Sequence, residues 1–264
     1  MEMNKFITLN NGIKMPTLGL GVWQIKQSET ARVVSWALES GYCHIDTARI
    51  YGNEKGVGEA VKSSDIPREQ IFITTKLWVT DFFNAELAYR KSLDRLGLGY
   101  ADLYLIHWPF PFWKHAWKTL EKLYQQGRIK AIGVSNFGIR QLEVLLKFSA
   151  ITPAVNQIEF SPFYYRKELL AYCKEKGIAL EAYSPLTRAK KLNHPVIKEL
   201  AQKYAKTAAQ IMIHWSLQHG LIVIPKSQNP NRIVENSEVF DFTIDDGDMA
   251  RLDSLNENFR TGFW

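Results

Sequence analysis

Four residues of this chain have side chains that together could move a proton to a carbonyl oxygen: Asp46, Tyr51, Lys76 and His107. A tyrosine hydroxyl, with a pKa of about 10 in water, is a weak donor near neutrality. A neighbouring ammonium lowers that pKa by favouring the phenolate, and a buried lysine stays charged only if a carboxylate holds its proton. Lys76 and Asp46 could supply those two conditions, and His107 could orient the substrate oxygen or share the proton transfer. Each residue also has a plainer reading. His107 could be a core histidine bonded to a backbone carbonyl, Lys76 a rim lysine with its stem buried, Asp46 a helix N-cap, and Tyr51 a packing residue.

The elements that would bring the four together are legible as short β-rich runs alternating with amphipathic helical segments. The runs are Leu18–Trp23, Cys43–Thr47, Ile71–Lys76, Leu103–His107, Ile129–Ser135, Ala154–Glu159, Ile178–Ser184 and Leu221–Lys226. Most are rich in Ile, Val, Leu and Tyr, as buried parallel strands are. Between them, Trp117, Leu120, Leu123 and Tyr124 share a helical face that stops at Gly127, and Leu169, Leu170 and Cys173 precede Gly177 in the same way. Ser28 is the expected N-cap of the helix carrying Val33, Val34, Ala37 and Leu38.

Eight strands separated by helices predict an α/β fold, a (β/α)₈ TIM barrel, filling residues 1–264 as a single domain. Phe6–Leu9, Asn10–Gly12 and Ile13–Met15 predict an N-terminal β-hairpin covering one barrel end. Two extra helices are expected near Val196–Tyr204 and Asp245–Leu255. In such a barrel the C-terminal strand ends share one rim. That rim would gather Asp46, Lys76, His107-Trp108, Ser135-Asn136, Gln157, Tyr183-Ser184 and Lys226-Ser227.

Three longer stretches carry a family resemblance. Residues 41–58 (GYCHIDTARIYGNEKGVG), 127–137 (GRIKAIGVSNF) and 224–236 (IPKSQNPNRIVEN) resemble, in order, the three signatures of the aldo-keto reductase superfamily. The likeness runs over essentially the whole chain. Within the superfamily the chain most resembles compact members such as 2,5-diketogluconate reductases and prostaglandin F synthases. The resemblance implies NADPH-dependent reduction of aldehydes or ketones, without a metal. Tyr51 would be the general acid, Lys76 and Asp46 its tuning pair, and His107 the carbonyl-orienting residue. Ser135, Asn136 and Gln157 would hold the nicotinamide carboxamide, with Tyr183 stacked on the ring. Ser184 and Leu186 would line the pyrophosphate path. Lys226, Ser227 and Arg232 would bind the 2′-phosphate, with Glu235 and Asn236 near the adenine. Trp23, Trp78 and Trp108 would be substrate-pocket walls.

The chain departs from the family pattern in a few places. Cys43 replaces a commonly basic residue, Arg49 stands where a small residue is usual, and Thr187 stands where glycine is frequent. Arg49 reads as either a solvated rim cation or a contact to an acidic substrate. The loops after the fourth strand and at the C-terminus are short, which predicts an open, tolerant pocket. Phe110, Phe112, Trp113, Phe263 and Trp264 are further pocket contacts or ordinary packing.

Composition excludes several alternatives. A chain of 264 residues, 46% hydrophobic and 23% charged, is neither disordered nor collagen-like. It has no apolar run long enough for a membrane span and no signal-peptide core, so a cytoplasmic location is the expectation, and the family resemblance implies a monomer. Two cysteines make no disulfide framework and match no zinc spacing. The net charge of +6 permits nucleic-acid binding, but Lys and Arg are dispersed and no recognition module is present; Lys226 and Arg232 are better assigned to a cofactor phosphate. The Gly-x-Gly-x-x-Gly turn of a doubly wound dinucleotide domain is also missing: Gly19-Leu-Gly21 and Gly56-Val-Gly58 lack the third glycine. A regulatory subunit that keeps the cofactor site without turnover is the competing reading, opposed by the intact set of four.

Overall fold

Strand side chains alternate between two faces, and in this molecule that alternation separates chemistry from packing. The computed structural model describes residues 5–262. Eight strands form one parallel sheet: β3 (Leu20–Gly21), β4 (His44–Asp46), β5 (Phe72–Leu77), β6 (Leu103–Ile106), β7 (Ile132–Ser135), β8 (Val155–Glu159), β9 (Ala179–Tyr183) and β10 (Ile222–Ile224), each paired with the next. The sheet closes on itself, because the Gly19 and Gly21 amides donate to the Val223 and Pro225 carbonyls and Val223 donates to Thr17. All eight expected strands are present, shorter at their ends than the apolar runs suggest.

One set of strand residues, including Ile45, Ile73, Tyr104, Ile106, Val134, Ile158, Ala182 and Val223, packs outward in the main hydrophobic core. The other set points inward and forms layers. Its floor is Phe72, Leu103, Leu105, Val155 and Ile222, which pack with Leu9 and Met15 of the N-terminal hairpin, β1 (Phe6–Thr8) and β2 (Lys14–Pro16). Asn10 and Asn11 side chains donate to the Pro153 and Lys130 carbonyls, pinning the hairpin across the N-terminal end of the barrel. Polar inward residues are therefore confined to the middle and the opposite end.

Around the barrel lie α1 (Gln27–Glu39), α2 (Glu54–Ser63), α3 (Ala85–Leu96), α4 (Trp113–Gln125), α5 (Ile139–Phe148), α6 (Lys167–Glu175), α7 (Pro195–Lys203), α8 (Ala208–Gln218), α9 (Pro230–Ser237) and α10 (Asp246–Asp253). The two extra helices are α7 and α10. Gly127 and Gly177, after α4 and α6, take the left-handed conformation that ends a helix. Ser28 is not the N-cap of α1; the helix starts at Gln27, Lys26 occupies the cap, and no side chain bonds it. Among the described residues no helix is long and apolar enough to cross a membrane, and both cysteines are free.

Gly56 and Gly58 lie within α2 and serve packing, as the absent third glycine suggests. A Cβ on Gly58 would sit 1.7 Å from the Leu96 carbonyl oxygen at the end of α3. Because that neighbour is backbone, Gly58→Ala should destabilise the fold by roughly 1–3 kcal/mol, the usual range for overpacking. Urea unfolding should show a lower midpoint at unchanged slope; an unaltered midpoint would refute this account of the α2–α3 contact.

Candidate active site

The site is assembled by one buried ion pair. Lys76, on β5, has no solvent exposure, and its Nζ donates to Asp46 Oδ1 at 2.6 Å and to the Thr47 carbonyl at 2.8 Å. It is thus no rim lysine, and Asp46 caps no helix. The second Asp46 oxygen accepts from Gln157 Nε2 at 2.7 Å. Asn53 fixes the segment above: it accepts from Thr47 Oγ1 at 2.8 Å and donates to the Val22 and Ile25 carbonyls at 2.9 and 3.1 Å. This buried side chain ties the loop carrying Trp23 to the short 3₁₀ turn Arg49–Tyr51 that presents the tyrosine.

Tyr51 lies with its ring centroid 5.0 Å from Lys76 Nζ and 5.6 Å from the His107 ring, which Trp78 abuts edge-on at 5.2 Å. Burial, followed by the charges of Asp46 and Glu181, raises the Tyr51 pKa well above its ordinary value. This reverses the expected sign. Lys76 is neutralised by Asp46 at contact distance, so it does not outweigh desolvation in the resting protein. Burial, reinforced by Lys76, holds His107 well below its usual pKa, and the ring is neutral. Its Nδ1 has no hydrogen-bond partner among the described residues, so His107 is not a core histidine held by a carbonyl.

Above these groups opens a cavity of about 500 Å³, lined by Asp46, Tyr51, His107, Trp23, Trp78, Trp108, Ser135, Asn136, Gln157, Tyr183, Ser184, Leu186 and Lys226, and also by Gln24, Ile50, Arg188 and Gly262. The polar middle is interlocked. Ser135 Oγ donates to the Gln157 carbonyl, Asn136 Nδ2 donates to Ser135 Oγ and the His107 carbonyl, and Tyr183 OH donates to Asn136 Oδ1 at 2.8 Å. Asn136 adopts φ +66°, a conformation asparagine tolerates better than most side chains. Ser227, Arg232, Glu235 and Asn236 lie outside the cavity, beyond Lys226. Ser227 accepts from the Asn229 amide, Arg232 is exposed on the first turn of α9, Glu235 accepts from Thr207, and Asn236 is buried.

Several side chains escape or qualify the sequence reading. Glu181, on β9, accepts from Gln157 Nε2 at 2.8 Å and lies 3.5 Å from His44; a lone acid inside an apolar strand was the available signal. Arg49 is neither fully solvated nor aimed at the cavity, because its Nε pairs with Asp81 at 2.7 Å. Arg188 lies over the Trp23 ring at 4.5 Å, reaching across the cavity from the loop after β9. In that loop Thr187, Arg188 and Ala189 all have positive φ, so the stretch in which glycine is frequent adopts left-handed backbone without it. Trp113 is buried against Phe137 and Phe148, while Phe110 and Phe112 are exposed and line no part of the cavity. Phe263 and Trp264 lie outside the described residues.

Comparison with known proteins identifies the architecture. The model of the aldo/keto reductase family matches residues 16–257. The chain belongs to that family. It is 51% identical over 263 residues to the uncharacterized oxidoreductase YtbE of Bacillus subtilis, covering 97% of this chain and 94% of that one. It is 48% identical over 260 residues to the glyoxal reductase of the same organism, with 97% and 94% covered. A crystal structure of an aldo/keto reductase from Brucella melitensis superimposes with a TM-score of 0.92 at 47% identity, over 95% of this chain and 99% of that one. Membership supports oxidoreductase activity, NADP(H)-linked at the level of the family, and carbonyl reduction is consistent with that family.

The buried histidines predict acid sensitivity. His44 is held at about 3 by burial and Lys76, and His107 and His214 are lowered mainly by burial. An unfolded histidine titrates near 6.5. Their contribution is complete above pH 6.5 and declines toward about 3, because there the unfolded chain binds protons the native state refuses. Urea midpoints should therefore fall through this window with uptake of more than one proton on unfolding. A midpoint independent of pH there would contradict the neutral assignments.

Proposed function

We propose that the protein reduces small aldehydes and ketones with NADPH, with Tyr51 as general acid. The observation that carries this reading is the buried Lys76–Asp46 pair set beneath a tyrosine and a neutral histidine at the base of an aromatic-walled cavity. The residues present fit the cofactor. The Gln157 Nε2 is committed to two carboxylates, which leaves its oxygen to accept from a carboxamide NH₂, beside Ser135 and Asn136. The Tyr183 ring, held by its hydroxyl, offers a face for the nicotinamide, and Ser184 and Leu186 continue the channel toward Lys226. Ser227 and Arg232 stand just past Lys226, where an extra phosphate would distinguish NADPH from NADH, with Glu235 and Asn236 farther along α9. Arg's rigid fork suits a phosphate.

Bound NADPH supplies the hydride, which is the cofactor's own chemistry. The protein supplies position and the proton. His107, neutral and bordering the cavity, donates its N–H toward the carbonyl oxygen and orients it. Tyr51 is fully protonated at neutral pH and passes its hydroxyl proton to that oxygen as negative charge develops there. The phenolate left behind is stabilised by the nearby Lys76, which is ion-paired with Asp46. Trp23, Trp78 and Trp108 wall the substrate end. Only six residues separate β6 from α4, so that side of the mouth stays open. Such a pocket suits small, varied carbonyl compounds, in keeping with the glyoxal reductase among the relatives. The short loop is in keeping with the compact 2,5-diketogluconate reductase and prostaglandin F synthase branch that the sequence resembles.

Two variants test the assignment. Tyr51→Phe should lower kcat for a reactive aldehyde by about 10²–10⁴-fold, the usual range for general acid catalysis, while NADPH affinity read by tryptophan-fluorescence quenching stays within about twofold. Retention of most of the rate refutes Tyr51 as the acid. Wild-type protein that never oxidises bound NADPH across a panel of aldehydes points instead to a regulatory barrel. Arg232→Ala should weaken NADPH by roughly ten- to a hundredfold, the value of a charge-assisted hydrogen bond, and leave NADH nearly unchanged. Equal losses for both cofactors would remove Arg232 from the 2′-phosphate site.

A further inference from the structure

Beneath the reacting groups lies a second polar layer that carbonyl reduction does not itself require. Glu181 is fully buried. Its Oε2 accepts from Gln157 Nε2 at 2.8 Å, and the same nitrogen donates to Asp46 Oδ2 at 2.7 Å, so one amide bridges two carboxylates. Glu181 Oε1 has no hydrogen-bond partner among the described residues; His44 Nε2 lies 3.5 Å from it and 3.2 Å from Thr74 Oγ1. Gly19 leaves room for this histidine, since a Cβ there would sit 2.4 Å from His44 Nδ1.

The charge inventory around Glu181 is short. His44 and Asp46 face it from β4 and Lys76 from β5, while its register partners are the uncharged Gln157 on β8 and the apolar Ile222 on β10. Tyr51 and His107 belong to the layer above. Lys76 is the single ammonium among these groups, and it is in contact with Asp46, not Glu181. Ionising both carboxylates while His44 is neutral would leave an uncompensated negative charge in a dry interior, which is strongly unfavourable. One proton must therefore be retained, and the carboxyl without an ammonium contact is the one that retains it. Burial, with Asp46 beside it, pushes the Glu181 carboxyl up to about 8.

We propose that Glu181 is a positioning residue for the reduction. As a neutral carboxyl it holds the Gln157 amide against Asp46; once ionised, it sets a second negative charge beneath Lys76 and weakens Tyr51 as an acid. The inference rests on the reading of Tyr51 as the proton donor. Ionisation releases the Glu181 proton to solvent and changes no other covalent bond. The added negative charge opposes the phenolate that forms when Tyr51 donates, so the effect falls on kcat and not on NADPH binding.

The test is the pH dependence of aldehyde reduction, from about pH 6.5 to about pH 9.5, in wild type and Glu181→Gln. Glutamine keeps the shape and the acceptor for Gln157 but cannot ionise. Near neutrality the two should agree within about twofold. Above about pH 8 the wild-type kcat should fall by about tenfold, while the variant stays level; superimposable profiles overturn the proposal. Infrared difference spectra give a readout that needs no substrate. Wild type should lose a protonated-carboxyl C=O band across the same range, and the variant should lack it. Absence of that band in wild type at neutral pH overturns the proposal as well. If the variant does not fold, the wild-type infrared midpoint must coincide with the wild-type kcat midpoint, and separate midpoints refute the link. A protein with the band but no turnover would instead unseat carbonyl reduction itself.

Discussion

An ammonium and a carboxylate removed from water each lose several kcal/mol of hydration, and only near-ideal geometry recovers it. Lys76 and Asp46 meet that demand at 2.6 Å, with the Thr47 carbonyl on the lysine and the Gln157 amide on the second carboxylate oxygen. Breaking such a pair on one side leaves a buried charge unmatched, commonly worth about 3–5 kcal/mol. Well-packed apolar side chains in such places are often as stabilising or more so, so the pair is weak evidence of a purely structural role. That the barrel carries the pair, and sets Tyr51 and His107 over it, makes the surrounding design intelligible: Asn53 ties down the turn that presents Tyr51, and Gln157 joins the pair to the next strands.

The placement of that pair follows from the pleat. Parallel strands in a closed barrel have inward side chains at every second position, so the inward series is the only one that can converge. Here it grades from apolar to polar along the axis. Phe72, Leu103, Leu105, Val155 and Ile222 make a floor sealed by the hairpin, His44, Thr74, Gln157 and Glu181 make a hydrogen-bonded middle, and the cavity opens above them. The floor keeps water from the lower side, so every charge in the middle layer must be balanced within the protein. A one-residue shift in any strand would exchange its functional residues for core aliphatics.

Much of this architecture was legible in the chain because it depends on local periodicity. The eight apolar runs, the hairpin with its Asn-Gly turn and the polar residues at the strand ends all appear in the structure where the pattern puts them. Apart from the start of α1, which is set locally, the misses share a cause, which is dependence on partners distant in sequence. Whether Arg49 is solvated depends on Asp81, which the Val79–Asn84 turn brings to it. The start of α1 depends on the backbone of Lys26 and not on the capping preference of Ser28. The sign of the Tyr51 shift could not be read from the nearness of a lysine, because it depends on how much of that lysine's charge Asp46 has already neutralised. Glu181 points into the barrel, and strand periodicity alone does not say that Gln157 and His44, from other strands, surround it.

The high pKa of Tyr51 is, on this view, suited to reduction. A donor must be protonated in the resting state, and burial guarantees that across the physiological range. What the reaction requires is stabilisation of the phenolate only as it forms, and interactions that strengthen in the transition state are the ones that accelerate chemistry. Lys76 is fixed near the Tyr51 ring before the proton moves, so no reorganisation is needed when the charge appears. The reverse reaction asks the opposite of the same residue. On the proposed assignment, alcohol oxidation would need Tyr51 ionised as a base, a state that burial, Asp46 and Glu181 all disfavour. With Tyr51 in the role proposed above, the electrostatics of this barrel would favour reduction near neutrality and leave oxidation to higher pH.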